Sequence, residues 1–430
     1  MNTQELTPGT AALLERRNRT LGQHSPLFYQ TPLELVSGEG VWLTDARGER
    51  YLDCYNNVPH VGHANPRVAS AIAEQAGRLN INTRYLNSRI MDYSERLLAT
   101  FDAPMERVFY GNSGSEANEL ALRISAQLTG NRGLIVSDYS YHGTTRALAG
   151  MTTGLKAAEG LDPWVRTLRI PDLLGSQLPE EELLANTLVE LDAAIASLQA
   201  AGHGVRACLF DPLFSTEGMP LLPAGLTAAI GERVRAAGGM VIADEVQSGF
   251  GRTGTRMWGH QAVGLVPDLV TMGKPMGNGH PMSAVVTSEG VMEAFGSRNE
   301  FFNTFAGNPV SAAAGEAVLL EMEAEGLMAR AHAVSSAARP ELERLAGRFD
   351  FLGSVRGQGT FMGIDFVHHQ GAPAPELARA AVEGMKSRGV LISKIGRHES
   401  VLKMRPPLAF GLKELPVFLG ALEETLESLA

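Results

Sequence analysis

Two ionisable residues follow buried-looking apolar runs in the middle of the chain. Asp244 ends the run ValIleAlaAsp at 241–244, and Lys274 comes soon after the run ValThrMet at 270–272. Short apolar runs rich in β-branched residues predict strands of a sheet that is covered on both faces. Ligands of open α/β sheets bind outside the carboxyl ends of the strands, so this carboxylate and this amine are candidate reactants.

A glycine-rich turn supplies a third candidate part. The segment GlyAsnSerGlySerGluAlaAsnGlu at 111–119 follows an apolar run, and apolar residues then recur at helical spacing from Ala117 to Leu128. Backbone amides at a helix N-terminus attract anions. We therefore predict that Gly114, Ser115 and their neighbours hold a phosphate group without a basic side chain.

A lysine, an acid and a phosphate seat at strand ends are together what pyridoxal phosphate requires. The lysine holds the cofactor aldehyde as a Schiff base, and the acid keeps the pyridine nitrogen protonated, so that the ring withdraws electrons. Tyr141 follows a further predicted strand at 134–136, and its ring is suited to stack on a flat heterocycle. Taken singly, each residue also has a structural interpretation, because Asp and Lys are common at turns and strand ends.

These segments together resemble the class III aminotransferases of the fold type I pyridoxal-phosphate family. The resemblance runs in unbroken order from about Pro26 to the C-terminus, and is carried by the segments at 112–119, 141–143 and 244–254, by Lys274 and by the segment at 303–309. The combination is specific, whereas each glycine-rich piece alone is weak.

The resemblance implies a role for each matching residue. Lys274 would carry the cofactor, Asp244 would pair with the ring nitrogen, Gln247 would lie near the ring hydroxyl, and Tyr141 would stack on the ring. Thr304 would reach the cofactor phosphate from the partner subunit of a homodimer with shared sites; pairing of dimers into tetramers stays open. The predicted cofactor-binding residues are Ser113, Gly114, Ser115, Tyr141, His142, Asp211, Asp244, Gln247, Lys274 and Thr304.

The alternation of apolar runs and amphipathic segments predicts an α/β fold. A large domain at 68–324 would hold a mixed, mostly parallel sheet of the seven-stranded type, covered by helices. By the resemblance, the chain ends at 1–67 and 325–430 would pack together as a small α+β domain. The chain has 430 residues, of which 44% are hydrophobic and 20% are charged, so it has enough apolar residues for a large core.

Composition argues against several classes of partner. The formal charge of −10 and the lack of clustered Lys and Arg argue against nucleic acid. No apolar run reaches about 18 residues, and the N-terminus lacks the features of a signal peptide, so we expect no membrane contact and a cytoplasmic location. Cys54 and Cys208 are the only cysteines, which predicts neither a disulfide framework nor a thiolate metal site.

The substrate side departs from the usual family pattern near the C-terminus. Many members place an arginine three residues before the first proline of a ProPro pair, where it grips a carboxylate. Here Lys403 occupies that place and Arg405 follows on the same strand face. A lysine is a compact point charge that suits phosphate, although a conservative exchange of one cation for another is an alternative.

Three other segments, at 56–63, 79–87 and 273–281, resemble the phospho-lyases of this family that act on ethanolamine phosphate and on 5-phosphohydroxylysine. That subgroup also has a lysine at the position of Lys403. The candidates for binding a substrate phosphate are therefore His60, Arg84, Lys403 and Arg405.

Three functions remain open on this basis. The first is elimination of phosphate from a phosphorylated amine such as ethanolamine phosphate, which yields aldehyde, ammonia and phosphate. The second is an ω-amino or alanine–glyoxylate type aminotransferase that uses a keto acid, and the third is a non-catalytic regulator that senses an amine. The presence of both Lys274 and Asp244 disfavours the third. The roles of Asp211, which replaces a longer acid of many members, and of Phe214 stay open.

Overall fold

The computed structural model describes residues 6–155 and 158–430. Residues 1–5, on which part of the signal-peptide prediction rests, lie outside these ranges. The strands are β1 (Leu35–Glu39), β2 (Trp42–Asp45), β3 (Arg50–Asp53), β4 (Arg107–Gly111), β5 (Gly133–Ser137), β6 (Val165–Leu168), β7 (Val205–Phe210), β8 (Met240–Asp244), β9 (Leu269–Met272), β10 (Ser283–Thr287), β11 (Leu352–Gln358), β12 (Phe361–Phe366), β13 (Val390–Leu391), β14 (Ser393–Ile395) and β15 (Val401–Met404).

Helices alternate with these strands through the middle of the chain, and a 3-10 turn covers Leu173–Gly175. The helices are α1 (Pro8–Leu21), α2 (Pro66–Ala76), α3 (Ser88–Leu98), α4 (Gly114–Thr129), α5 (Arg146–Ala149), α6 (Glu180–Ala200), α7 (Leu226–Ala236), α8 (Gly259–Ala262), α9 (Glu289–Gly296), α10 (Pro309–Ala324), α11 (Leu327–Arg348), α12 (Pro375–Ser387) and α13 (Leu415–Glu427).

The large sheet has seven strands in the order β4-β10-β9-β8-β7-β5-β6. Strands β5 to β9 pair in parallel, and β10 is antiparallel to β4 and β9. Val241 and Ile242 are adjacent in β8 and belong to different apolar clusters, one against α6, α7 and α10 and the other against α4 and α9. Helices therefore cover both faces, and the predicted α/β fold is confirmed.

The two chain ends share a second core. Strand β13 pairs in parallel with β3, with Val390 opposite Leu52, and completes the sheet β1-β2-β3-β13. The sheet β11-β12-β15-β14 and helices α11 to α13 pack in the same apolar cluster. The predicted domain boundaries stay predictions; they fall near the start of α2 and at the end of α10.

Among the described residues, no helix is long and apolar enough to span a bilayer. In the same ranges, no group of three or more His, Cys, Asp and Glu side chains is placed to hold a metal ion. Cys54 and Cys208 are both buried free thiols.

Candidate active site

Asp244 is the last residue of β8, and both oxygens of its buried carboxylate accept hydrogen bonds. Oδ2 accepts hydrogen bonds from Asn118 Nδ2 at 2.9 Å and His142 Nδ1 at 2.7 Å, and Oδ1 accepts one from Val246 N at 3.1 Å. Burial alone would raise the pKa of Asp244, but the hydrogen bonds from His142 and Asn118 and the charge of His142 lower it below its usual value. The site therefore holds an ionised acid at the strand end.

Asn118 is a site residue that the sequence interpretation missed. It lies on the inward face of α4, donates from Nδ2 to His142 O at 2.7 Å as well as to Asp244, and accepts at Oδ1 from Thr271 Oγ1 at 2.6 Å. The available signal was a polar residue among the apolar residues of that helix face. Asn118 thereby joins α4, β8 and β9 at the acid.

Lys274 follows β9 and opens onto the same cavity as Asp244. Burial, with the positive charge of Arg405, lowers the pKa of Lys274 to about 8, while Asp244 and Asp211 oppose the shift. The amine forms no salt bridge with a carboxylate within the described residues. It is therefore partly neutral near physiological pH and free to react with a carbonyl group.

The cavity has a volume of about 300 Å³ and lies at the start of α4. Ser113 caps this helix, since its Oγ accepts from Glu116 N at 3.2 Å, and Gly130 ends it in the left-handed region. The lining also includes Asn118 and His280, which were not predicted. The predicted residues that line the cavity are Ser113, Gly114, Ser115, Tyr141, His142, Asp211, Asp244, Gln247 and Lys274.

A side chain would not fit at Gly143 and would be crowded at Gly114, two residues of this lining. A Cβ atom on Gly143, whose φ is 142°, would lie 2.5 Å from Ser115 Oγ, and one on Gly114 would lie 3.1 Å from Val246 Cγ2. Both glycines thus allow backbone to approach closely around the helix start. The backbone amides at the N-terminus of α4 form a binding site for an anion.

These residues fit pyridoxal phosphate. Asp244 is an ionised acceptor for a protonated ring nitrogen. Lys274 is an amine without a salt-bridge partner among the described residues and can react with an aldehyde, and the N-terminus of α4 can bind the phosphate. In addition, His142 Nε2 is buried and has no hydrogen-bond partner among the described residues, which leaves a polar atom available beside Asp244.

Lys403 and Arg405 are two further basic residues that interact electrostatically with Lys274, although neither lines the cavity. Lys403 lies in β15 and Arg405 directly after it, and each is 6% exposed. Lys403 Nζ lies 5.9 Å from the centre of the Phe361 ring. Arg405 Nε donates to Tyr55 O at 3.2 Å, and its Nη1 donates to Gln247 Oε1.

Lys403 and Arg405 have little negative charge nearby to balance them. Neither forms a salt bridge within the described part of the chain. Burial, followed by the charges of Arg405 and Lys274, holds the pKa of Lys403 well below its usual value, and burial also lowers the pKa of Arg405. Asp211 opposes both shifts without pairing with either cation. A buried cluster of this kind favours binding of an anion.

Asp211 follows β7, and its side chain is hydrogen-bonded within the turn that comes after this strand. Its Oδ1 accepts from Leu213 N at 3.1 Å, and its Oδ2 accepts from Ser215 N at 3.2 Å and from Ser215 Oγ. Burial raises the pKa of Asp211 to about 6. The charge of Asp244 adds to this increase, and the hydrogen bond from Ser215 opposes it. Phe214 is buried with a φ of 47° and packs on Phe210 at 5.6 Å between ring centres.

His60 does not fit its predicted role as a phosphate ligand. Its Nε2 donates to Phe250 O at 2.7 Å, and its Nδ1 accepts from Arg252 Nη2 at 3.2 Å. Burial, with the charge of Arg252, lowers the pKa of His60 to about 3. The ring is therefore neutral and both nitrogens are used within the protein, so the geometry gives His60 a structural role.

Arg84 and Thr304 lie apart from the cavity on an exposed face of the chain. The Arg84 guanidinium carbon is 3.9 Å from the centre of the Phe302 ring, and Thr304 is in the same loop as Phe302. Exposed apolar side chains surround them, including Leu86 and Phe305. Within one chain neither residue lines the cavity, so their predicted contacts require a second subunit.

The fold and this cavity are those of fold type I enzymes. The family model for class III aminotransferases (Aminotransferase class-III) matches residues 28–426. The chain belongs to this family and is an enzyme of it.

Relatives and solved structures divide between two reactions. The chain is 36% identical to "Alanine--glyoxylate aminotransferase 2-like" of Drosophila melanogaster, over 97% of this chain and 87% of that protein. It is 34% identical to "Ethanolamine-phosphate phospho-lyase homolog 1" of Caenorhabditis elegans, over 96% and 93%. It is 59% identical to a phospholyase from Arthrobacter solved in complex with phosphoethanolamine, with a TM-score of 0.96 over 97% of this chain and all of that one.

Proposed function

We propose that the protein is a pyridoxal-phosphate-dependent phospho-lyase that acts on a phosphorylated amine such as ethanolamine phosphate. The observation that carries the proposal is the buried pair Lys403 and Arg405, which interacts electrostatically with Lys274 and forms no salt bridge among the described residues. A phosphate dianion supplies the missing negative charge, and Arg405 offers it directed donors. The similarity to the phospholyase solved with phosphoethanolamine supports this choice of substrate.

The cofactor would be held by residues that surround the cavity. Lys274 would bond its aldehyde, the N-terminus of α4 would hold its phosphate, and Asp244 would keep its ring nitrogen protonated. When bound, pyridoxal phosphate supplies an electron sink conjugated with the amine-bearing carbon of the substrate.

The protein's own groups would move the proton and guide the leaving group. The Lys274 amine removes a proton from the carbon that bears nitrogen, which its lowered pKa of about 8 favours. Lys403 and Arg405 bind the phosphate and stabilise its charge while the bond between the neighbouring carbon and its oxygen breaks. The unsaturated amine that remains takes up water and yields an aldehyde and ammonia.

The test is to measure the products without a keto acid. Purified enzyme with ethanolamine phosphate and pyridoxal phosphate should release inorganic phosphate, ammonia and aldehyde in equal amounts over many turnovers. The Lys274→Ala variant serves as the control for non-enzymatic release. Product formation that stops after one turnover unless a keto acid is added would contradict the phospho-lyase.

The alternative is an aminotransferase, and the name of the Drosophila melanogaster relative favours it. That reaction needs a keto acid as amine acceptor, and its substrate carboxylate would occupy the Lys403 and Arg405 cluster instead of a phosphate. Keto-acid-dependent consumption of an unphosphorylated amine, without phosphate release from ethanolamine phosphate, would support it.

We also propose a homodimer in which Arg84 and Thr304 complete the partner's site. The two residues share one exposed face with apolar side chains, a composition suited to an interface between copies. Chains with Lys274→Ala and chains with Arg84→Met can be mixed and reassociated. If Arg84 acts across the interface, each mixed dimer has one intact site of two. Because about half of the dimers are mixed, activity should recover to about a quarter of wild type. If Arg84 acts within its own chain, mixing should restore nothing.

A further inference from the structure

Gln247 contacts Arg405 across a separation of 158 residues. It follows Asp244 in the turn after β8 and lines the cavity. An arginine side chain has donors and no acceptor, so the Gln247 oxygen must face Arg405. The Gln247 NH₂ group is then directed away from Arg405, and within the described residues it donates to no protein acceptor.

Arg405 is held at two of its three nitrogens. Nη1 donates to Gln247 Oε1 and Nε donates to the carbonyl oxygen of Tyr55, whose ring centre is 5.3 Å from the guanidinium carbon. Because the guanidinium is planar, fixing two nitrogens also sets the direction of the third. Among the described residues, Nη2 has no hydrogen-bond partner and remains available to an anion.

The backbone supports one side of this arrangement independently of Gln247. Arg405 N donates to Cys54 O at 2.7 Å, which joins the end of β15 to the segment after β3. The contact at Nε therefore comes from main chain, whereas the contact at Nη1 comes from a single side chain. Loss of the Gln247 amide would remove the contact at Nη1 and leave the guanidinium held only by Tyr55 among the described residues.

We propose that Gln247 is the positioning residue for Arg405, fixing Nη2 toward an anion while its own NH₂ group donates to the cofactor side of the cavity. One amide thereby links the cofactor to the group that recognises the substrate anion. The proposal rests on the proposed function in taking that anion to be the substrate phosphate. It predicts that Gln247 affects phosphate binding through Arg405 and not by itself.

The test uses holoenzyme and inorganic phosphate as the probe, with binding followed by calorimetry. Gln247→Met keeps the length of the side chain and removes its hydrogen bonds, and Gln199→Met on the exposed face of α6 is the matched control. Gln247→Met should weaken phosphate binding about tenfold, the scale of one hydrogen bond to a charged group. The KM for ethanolamine phosphate should rise in parallel with a smaller change in kcat, and Gln199→Met should match wild type.

A double-mutant cycle with Arg405→Met decides the proposal. In the Arg405→Met background, Gln247→Met should cause less than about a threefold further loss of phosphate affinity, because the group that it positions is gone. A full tenfold loss in that background, or wild-type holoenzyme that binds no phosphate, would overturn the proposal.

Gln247→Glu provides a second readout of the same contact. Its carboxylate would pair with Arg405 and cancel the charge, so phosphate should bind more weakly than to Gln247→Met; equal or tighter binding would count against the proposal. Failure of the proposed function has a different signature, namely phosphate release that requires a keto acid, and the calorimetric cycle is independent of that outcome.

Discussion

The Asp244 end of the site and the Lys403 end differ in charge and in whether the charged groups have partners within the protein. At the Asp244 end, the carboxylate has partners for both oxygens in Asn118, His142 and Val246. At the Lys403 end, two buried basic side chains lie near one another, and neither forms a salt bridge among the described residues. The acid at the first end has its partners within the protein, whereas in the proposed function the second end gains its partner from the ligand.

This difference separates the tasks of the two ends. A satisfied, ionised acid keeps a fixed charge next to the cofactor, which favours the same electron sink for any substrate. A pair of buried cations costs stability in the empty protein, and that cost is relieved only by an anion of suitable charge. Substrate choice should therefore respond to mutations at the second end, and turnover in general to mutations at the first.

The largest effect is expected from Lys274→Ala, which removes the reacting amine from the first end. The variant should fold and should lose the visible absorbance of the bound cofactor and all turnover, with every substrate. Lys413→Ala, an exposed lysine, should behave as wild type. Activity of Lys274→Ala without an added amine would contradict its assignment.

Asp244→Asn should follow, because it keeps the shape of the side chain and removes its charge. Loss of that electrostatic term should cost about 3 kcal/mol, or more than a hundredfold in kcat, for phosphorylated and unphosphorylated amines alike. Asp192→Asn in α6 is a surface control with the same chemical change. A near-normal kcat in Asp244→Asn would show that the acid serves only the turn.

The sequence indicated where Lys274, Asp244 and the start of α4 would lie, because the signals for them are local. Asp244 ends one apolar strand and Lys274 comes two residues after another, and the rule for strand ends in open sheets brings them to one edge. The helix start at Gly114 was signalled by its own turn and by the apolar period of α4. The seven-stranded sheet followed from the alternation of strands and helices.

The second end depends on contacts that no local pattern encodes. Gln247 and Arg405 are 158 residues apart, and Arg252 meets His60 across 192 residues. His60 was predicted as a phosphate ligand from its neighbouring motif, yet its two nitrogens are occupied by partners that only the tertiary fold supplies. Asn118 was missed for the same reason, since its value lies in joining Asp244 to Thr271.

Removing one cation at a time should sharpen the distinction between the ends. Lys403→Met and Arg405→Met should each lower kcat/KM for ethanolamine phosphate by about ten- to a hundredfold, the scale of a charged hydrogen bond. An unphosphorylated amine, followed by its keto-acid-dependent consumption, should lose less than about threefold. Arg388→Met, at the end of α12, is the control. Equal losses on both substrates would remove the proposed division of tasks.

The smallest effect concerns the stability of the empty site. Because burial disfavours the charged form of Lys403 and no acid pairs with it among the described residues, Lys403→Met should raise the stability of the phosphate-free protein by about 1 kcal/mol, the low end for such replacements. Burial lowers the pKa of Lys403 in the folded protein. At pH values between this lowered pKa and the usual pKa of lysine, the unfolded chain therefore binds more protons than the folded protein does. Stability of the wild type therefore rises with pH across this interval, and the advantage of Lys403→Met should shrink from pH 7 to pH 10.

Thermal unfolding of both proteins in phosphate-free buffer, repeated with saturating inorganic phosphate, measures this advantage. Phosphate should stabilise the wild type and reverse the order of the two proteins, because only the wild type retains both cations for the anion. A Lys403→Met variant that is less stable than wild type without phosphate would mean that Lys403 is satisfied in the empty site. The Lys403 end would then have its partners within the protein, as the acid at the Asp244 end does.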